Sequence, residues 1–421
     1  MLMRSDRYKD EPVIKKKKKH GTLKALLVLI IFLAAAIAAA TAYFYKSAYD
    51  SLALTFTDDS PVLDFGGEYR ALDFVKEYGG EIIPETEFLD ATSVGSKKVN
   101  FTVEQPILGG LLKPVKEYSL TYNVVDSIPP LMLHSGDGAV VERGTEFDIS
   151  SIVSYADNAD PDPLVSVDGK VDTSKNGNYP IHVKVTDASG NDTEWDLTVT
   201  VADSVPVYTY ESDPYAFSAF VSDNKGKGKS FGLDISAWQD EVDFKALRKA
   251  GCEFVMIRVG YTSDGNLNLD KQFKRNLEGA KAAGIKTGIY YYSTDRTEEE
   301  VRNAAQWIME NLGGHSPDLP IAFDWEDFET FQNYRISLYE LNSLYDAFAD
   351  ELSTAGYGCM LYGSKTYLEN VWDKTDTRPV WLAHYTEKTD YDGPFMMWQA
   401  SSSGRISGIN GDVDMDILYN N

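Results

Sequence analysis

Leu319-Pro-Ile-Ala-Phe-Asp-Trp-Glu-Asp327 is the stretch whose reading decides the fold. The apolar run from Leu319 to Phe323 predicts a short buried strand. It ends in Asp324 and Glu326, with Trp325 between them. Alternate side chains of a strand share a face, so both carboxyls point one way and Trp325 the other. Two carboxylates side by side repel, and their pKa values are pushed apart. That suits one to be an acid and the other to stay charged. A surface acidic turn is the competing reading of these residues alone.

Working outward, the pattern from Phe231 is strand, helix, strand, helix. Strands are expected at Gly232 to Ser236, Phe254 to Val259 and Lys286 to Tyr291. Helices are expected over Asp243 to Ala250, stopped by Gly251, and over the Phe273, Leu277, Ala280 face, stopped by Gly284. Thr297-Glu-Glu-Glu300 and Ser337-Leu-Tyr-Glu340 read as capping boxes opening two more helices. After the central strand come Gly358 to Tyr362, Pro379 to His384, Phe395 to Gln399 and Val413 to Leu418, with little helix between the last of them. Eight strands with alternating helices predict an α/β (β/α)-barrel short of helices in its second half. In such barrels chemistry sits at the carboxyl ends of the strands. Asp234, Asp324, Glu326 and Asp414 or Asp416 would meet there, among Trp238, Tyr261, Tyr290, Tyr292, Trp381, Tyr385, Trp398 and Gln399. Each aromatic alone is readable as core. Together, beside carboxyls, they make the arrangement of a sugar cleft.

Residues 231–421 resemble the glycoside hydrolase family 25 lysozymes. The resemblance is carried, in order, by Phe231-Gly-Leu-Asp-Ile-Ser-Ala-Trp-Gln239, Phe254-Val-Met-Ile-Arg-Val-Gly-Tyr261, Asp270-Lys-Gln-Phe273 with Asn276, and Gly288-Ile-Tyr-Tyr-Tyr292. Asp324-Trp-Glu326, Pro379-Val-Trp-Leu-Ala383 with Tyr385, Trp398-Gln399 and Gly411-Asp-Val-Asp-Met-Asp416 complete it. It implies a muramidase that cleaves the β-1,4 bond between N-acetylmuramic acid and N-acetylglucosamine in peptidoglycan. Carried over, Glu326 is the general acid, and Asp324 stabilises the positive charge or positions the substrate's acetamido group. Asp234 and Asp414 flank the cleft, with Asp412 and Asp416 as alternatives to Asp414. Tyr291 stands where the family often has histidine, a departure expected to touch subsite detail. Residue spacing leaves a retaining or an inverting outcome open.

The chain has 421 residues, a length of two to four domains. Ala25 to Tyr45 is a 21-residue run without charge, long enough for a bilayer core of about 30 Å. Lys15 to Lys19 precede it, which keeps that side cytoplasmic. The expectation is an uncleaved anchor at 22–46 behind a basic tail at 1–21. Ala40-Thr41-Ala42 leaves a cleaved signal and secretion as the alternative. From 50 to 203 short alternating runs predict two all-β sandwiches, 50–126 and 127–203. They share Tyr-x5-Val-x-Asp at Tyr118 and Tyr179, a 61-residue offset. Residues 126–203 resemble bacterial immunoglobulin-like surface modules. Residues 204–230 read as a flexible linker. The sequence-level fold class is therefore multidomain: a transmembrane helix, two immunoglobulin-like sandwiches and a C-terminal barrel.

Residues 1–46 carry ten Lys/Arg against three Asp/Glu, +7 against −25 overall, so the rest carries −32. That acidity argues against nucleic acid as a partner. Peptidoglycan glycan strands and, through one helix, the membrane are the expected partners. No metal and no cofactor is expected. Asp157, Asp160 and Asp162 match no complete calcium loop and read as a solvated acidic loop, and Asp412-x-Asp-x-Asp416 lacks the later ligands. His20, His134, His182, His315 and His384 show no ligand spacing, with His384 read as a wall residue. Cys252 and Cys359 read as buried free thiols rather than a disulfide. No Gly-x-Ser-x-Gly elbow occurs. The rival reading is a tethered glycan-binding or adhesion protein without turnover.

Overall fold

The structure, a computed structural model, describes residues 20–133, 138–206, 213–374 and 378–420. The basic tail, Lys15 to Lys19 and His134 lie outside them. The chain forms two compact units, residues 1–125 and 126–421.

In the first unit, one helix runs His20–Ser51, 32 residues. From Gly21 onward it is long and apolar enough to cross a membrane, and its leucines, isoleucines and Phe32 are exposed on all sides. Only Leu52 separates it from the strand Ala53–Phe56. A four-stranded sheet of Val62–Asp64, Val115–Val125, Gly95–Glu104 and Glu81–Pro84 and a two-stranded one follow. In the long hairpin of this unit Val99, Phe101, Val103, Leu120, Tyr122 and Val124 point inward at alternate positions and form the core.

The second unit begins with a β module. Leu164–Asp168, Gly177–Thr186 and Asp192–Ala202 are antiparallel neighbours, and Gly138–Glu142 runs parallel to the last. Ile181, Val183, Val185, Leu197 and Val199 fill its core. A small sheet of Leu131–Met132 and Tyr155–Ala156 lies beside it. Asp157 follows directly and departs from expectation. It is 1% exposed rather than solvated.

The rest of the second unit is a distorted barrel, whose strands we number β1 Lys229–Ile235, β2 Phe254–Ser263, β3 Lys286–Tyr292, β4 Ile321–Asp324, β5 Cys359–Ser364, β6 Val380–Ala383, β7 Met397–Arg405 and β8 Val413–Tyr419. Strands β1 to β7 are parallel in sequential order. Strand β8 is antiparallel to both β7 and β1 and closes the ring. Helices α1 Phe244–Ala250, α2 Phe273–Ala283, α3 Glu298–Leu312, α4 Leu338–Thr354 and the single turn-and-a-half α5 Lys365–Asn370 cover it. No helix follows β6 or β7 among the described residues. Both capping boxes form as the sequence predicts: Thr297 and Ser337 accept from the backbone of Glu300 and Glu340, whose carboxylates reach back. Gly251 and Gly284 end α1 and α2 at φ 98° and 68°, a left-handed turn that favours glycine.

Two apolar layers result. An inner one of Phe254, Met256, Ala322, Met360 and Met397 fills the barrel. An outer one packs Leu233, Val255, Ile257, Phe323, Trp325 and Leu382 against the helices. The outer layer also takes in residues from the expected linker. Phe217–Asn224 is a helix, not a flexible segment; its Phe217 and Phe220 are buried, and Phe220 packs edge-on against Phe231. Leu133 and Ala156 of the β module join the same cluster.

Candidate active site

Strand alternation builds the site. Outward residues Leu233, Ile257, Phe323, Trp325 and Ile417 belong to the outer core. Their neighbours Asp234, Arg258, Asp324, Glu326 and Asp416 therefore face the barrel axis. Because β8 runs the other way, its beginning lies at the mouth where the parallel strands end. Asp414 thus pairs directly with Asp234. On the far side of the mouth, Tyr292, Asp324 and Tyr362 are register neighbours across β3, β4 and β5. Small residues make room below: a Cβ on Gly288 would sit 2.1 Å from the Met256 sulfur.

The carboxyls are held by a few bonds. Gln399 Nε2 donates to Asp234 Oδ2 at 2.7 Å, and Gln399 Oε1 accepts from the hydroxyls of Tyr362 and Tyr385, each at 2.9 Å. Trp381 Nε1 donates to Asp416 Oδ1 at 2.8 Å. Asp324 Oδ1 is buried without a hydrogen-bond partner among the described residues. Arg258 is pinned on Asp270, Nε and a terminal nitrogen each 2.9 Å from Oδ2, and its guanidinium lies 5.4 Å from the Tyr261 ring centre. Asp270 Oδ2 also accepts from the backbone of Ala237 at 2.9 Å, tying the loop that carries Trp238 to the same anchor.

Burial sets the electrostatics. It pushes Glu326 up to about 7 and Asp414 up to about 6. Asp324 is raised well above the usual carboxylate range by burial and by the charge of Glu326, with Arg258 opposing. Asp234 is raised by burial and by Asp414 and Asp416, and Asp416 by burial above all. The cluster cannot be fully ionised near neutral pH, so it holds protons at a cleft mouth.

The expected residues separate into four groups. Asp234, Asp324, Glu326, Asp414, Tyr290, Tyr292, Tyr385 and Gln399 gather at the mouth. Trp238, 84% exposed, stands free at the rim, Tyr385, 56% exposed, reaches it with its hydroxyl held by Gln399, and Tyr261 is half-buried beneath Arg258. Trp381 is 1% exposed, wedged edge-on against Tyr290 and Tyr362, so it supports the floor instead of offering a ring face. Trp398 is misassigned by the sequence reading: it points to the outer core, and its Nε1 donates to the His384 carbonyl at 2.8 Å. Tyr291 likewise faces outward, stacked on Phe348, so its departure from the family pattern does not reach the cleft. Asp412 is exposed and paired with Arg405, and Asp416 lies fully buried below, leaving Asp414 as the partner of Asp234 at the mouth.

Arg258, Asp270 and Tyr362 were missed as site residues. The signal was present for Arg258, which has the parity of Phe254 and Met256 yet places a charge within an apolar strand. Tyr362 has the parity of Met360. His384 borders the site as a wall residue, its Nδ1 2.9 Å from the Thr389 hydroxyl. Cys252 is buried, Cys359 half-buried, and both are free. No three carboxylates of the mouth come close enough to form a metal cluster among the described residues.

A cavity of about 490 Å³ opens at the mouth, lined by Glu326, Tyr362, Lys365, His384 and Tyr385 among others. Another, of about 420 Å³ beside Leu368, Trp372 and Tyr391, contains none of the mouth carboxylates. Residues 233–409 match the family profile described as glycosyl hydrolases family 25, and residues 131–201 that of a bacterial surface protein, Ig-like domain. The C-terminal barrel is a family 25 glycosyl hydrolase domain. The chain is similar to the autolytic lysozyme of Clostridium acetobutylicum, 31% identical over 189 residues, 44% of this chain and 54% of that protein. It is also similar to lysozyme M1 of Streptomyces globisporus, 26% identical over 196 residues, 44% of this chain and 65% of that one. The chain thus spans between half and two thirds of the length of these relatives. A solved family 25 glycosyl hydrolase from Bacillus anthracis overlaps 51% of this chain and 96% of its own, at 18% identity and a TM-score of 0.43. The family 25 match lies C-terminal to the Ig-like match, and both fall within one compact unit.

Proposed function

We propose that the protein is a membrane-anchored muramidase that hydrolyses the β-1,4 bond between N-acetylmuramic acid and N-acetylglucosamine in peptidoglycan. The observation that carries this is the pairing of Asp324 and Glu326 on adjacent inward positions at the mouth, with burial raising Glu326 to about 7. The names of the relatives, an autolytic lysozyme and an N,O-diacetylmuramidase, support the substrate class.

Glu326 protonates the glycosidic oxygen as the bond breaks, because it still holds its proton near neutral pH. Asp324 is assigned the charged role because the opposing cation Arg258 acts on it, against the burial and the Glu326 charge that raise it, so the pair shares its protons as one coupled unit. Asp324 stabilises the positive sugar carbon or orients the substrate acetamido group. Asp234 and Asp414, bridged through Gln399 to Tyr362 and Tyr385, shape the cleft between them. Trp238 and Tyr385 offer the exposed ring faces on which sugar rings stack. This set needs no metal and no cofactor.

Helix His20–Ser51 is proposed as the anchor. A helix apolar all round requires an apolar surrounding, and the lysines ahead of it would stay cytoplasmic. The proposed organisation is a cytoplasmic tail, the anchor, two β modules and an extracellular catalytic domain. The test is digestion of purified peptidoglycan with the full chain, followed by borohydride reduction. The expected product is reduced muramic acid at new chain ends. Reduced glucosamine ends, or binding without release, would overturn the assignment, the latter in favour of an adhesion role.

A further inference from the structure

The Ig-like domain holds a group of carboxylates that the proposed chemistry does not use. Asp126, Asp157 and Asp187 are buried, and one carboxylate oxygen of each lies within 4.8 Å of the others. Two of them come from the sequence repeat, since Asp126 and Asp187 end its two copies of Tyr-x5-Val-x-Asp. The third follows the strand Tyr155–Ala156.

Their bonds leave several oxygens unused. Both oxygens of Asp187 accept from Asn191, backbone and side chain, at 2.8 Å. Asp157 Oδ1 accepts from the amides of Ala159 and Asp160 at 2.9 and 2.7 Å. Asp126 Oδ1 accepts from the Ile128 amide at 3.2 Å and from Asn158 Nδ2 at 3.0 Å. The Oδ2 atoms of Asp126 and Asp157, in residues 8% and 1% exposed, are buried with no hydrogen-bond partner among the described residues. The amide oxygen of Asn158 is in the same state. Among the described residues, Arg143 pairs with Asp203, Lys175 with Asp172, His182 with Asp196, and Lys184 with Asp192 and Glu194, and no ion pair reaches Asp126, Asp157 or Asp187.

Buried carboxylates with unpaired oxygens and no counter-charge are unfavourable unless a cation joins them. Donors that are all oxygen select a hard cation over a transition metal. Calcium accepts irregular sets of about six to eight oxygens, whereas magnesium demands a near-ideal octahedron. These ligands come from three separate loops.

The position of the cluster gives it a consequence. The carbonyls of Asp157 and Asn158 accept the first amides of α4, from Leu338 at 2.8 Å and Tyr339 at 3.1 Å. Helix starts leave such amides without partners, and here the neighbouring domain supplies them. The Ser154 hydroxyl donates to the Phe328 carbonyl, and Gln332 Nε2 donates to the Val153 carbonyl at 3.1 Å. Segment 153–158 therefore grips the stretch 328–339, which begins two residues after Glu326. We infer that Asp126, Asp157 and Asp187, together with the Asn158 amide oxygen, hold a calcium ion that fixes segment 153–158 and, through it, the loop following Glu326.

The test uses the full chain in detergent, stripped with EGTA, and calcium chloride as the probe. Calorimetry should show one saturable ion per chain with Kd on the order of 10⁻⁴ to 10⁻³ M, as for extracellular calcium modules. Tm should climb with the logarithm of free calcium, and the amides of Leu338 and Tyr339 should exchange more slowly. Asp157→Asn and Asp187→Asn should each weaken binding at least tenfold, with a Tm in EGTA equal to or above that of the parent, because repulsion is relieved. No calcium-dependent change in binding or Tm, an equal response to magnesium, or unaltered binding in both variants would overturn the site. Binding without altered exchange at Leu338 and Tyr339 would overturn the link to the loop. Should either variant fail to fold, the stripped and calcium-loaded parent protein still decides.

Discussion

Glu326 and Asp324 share a mouth where few charges can be neutralised from outside. Arg258 is the cation set against Asp324, and it is already engaged by Asp270. Burial raises Glu326 to about 7, so the protonated form persists through neutral pH and ionises above it. In the proposed role the proton is the reagent. kcat/KM for peptidoglycan should therefore be flat or rising below pH 7 and fall about tenfold per unit above it. The limb reports the pair, not one residue, because the two titrations are coupled. A pH–rate profile measured from pH 5 to 9 checks this. A descending limb near 4.5, the ordinary glutamate value, would contradict it. The pair itself was legible in the sequence from strand parity alone. The facing of Trp398 was not: a lone tryptophan beside Gln399 does not reveal which of two alternating residues looks inward, and the closure by an antiparallel β8 fixes it only in three dimensions.

At the scale of elements, the capping boxes of α3 and α4 and the left-handed glycines after α1 and α2 were readable because their chemistry is local. The helix Phe217–Asn224 was not, because it is a short segment in a stretch rich in turn-forming residues and is stabilised by burial. Phe220 is 1% exposed and meets Phe231 and Tyr215 edge-on, each with centroids 5.8 Å apart. Phe220→Ala should cost about 3–5 kcal/mol, read as a lower denaturant midpoint of the catalytic domain. A loss under about 1 kcal/mol would mean that this helix only rests on the barrel. The practical consequence is that a catalytic fragment starting at residue 231 would lose Phe217 and Phe220 from its core. The grip of segment 153–158 on α4 was equally hidden, since it joins backbone groups about 180 residues apart in sequence.

For the whole molecule, the order of segments was visible in composition: a basic, then apolar, beginning, alternating β segments, then strand–helix alternation. The acidic balance beyond residue 46 argues against nucleic acid, and a glycan is the natural partner of a cleft lined by carboxyls and aromatic rings. What unites these levels is the claim that a tethered barrel cuts glycan strands by giving a proton from Glu326. The most direct measurement compares the full chain with its Glu326→Gln variant on two substrates. One is peptidoglycan. The other is an aryl glycoside of the same sugar whose leaving group is acidic enough to depart without a proton. The account predicts a loss of at least about 10²-fold on peptidoglycan, in the range that general acid catalysis supplies, and a much smaller loss on the aryl glycoside. An equal loss on both substrates, or none on either, would contradict Glu326 as the general acid.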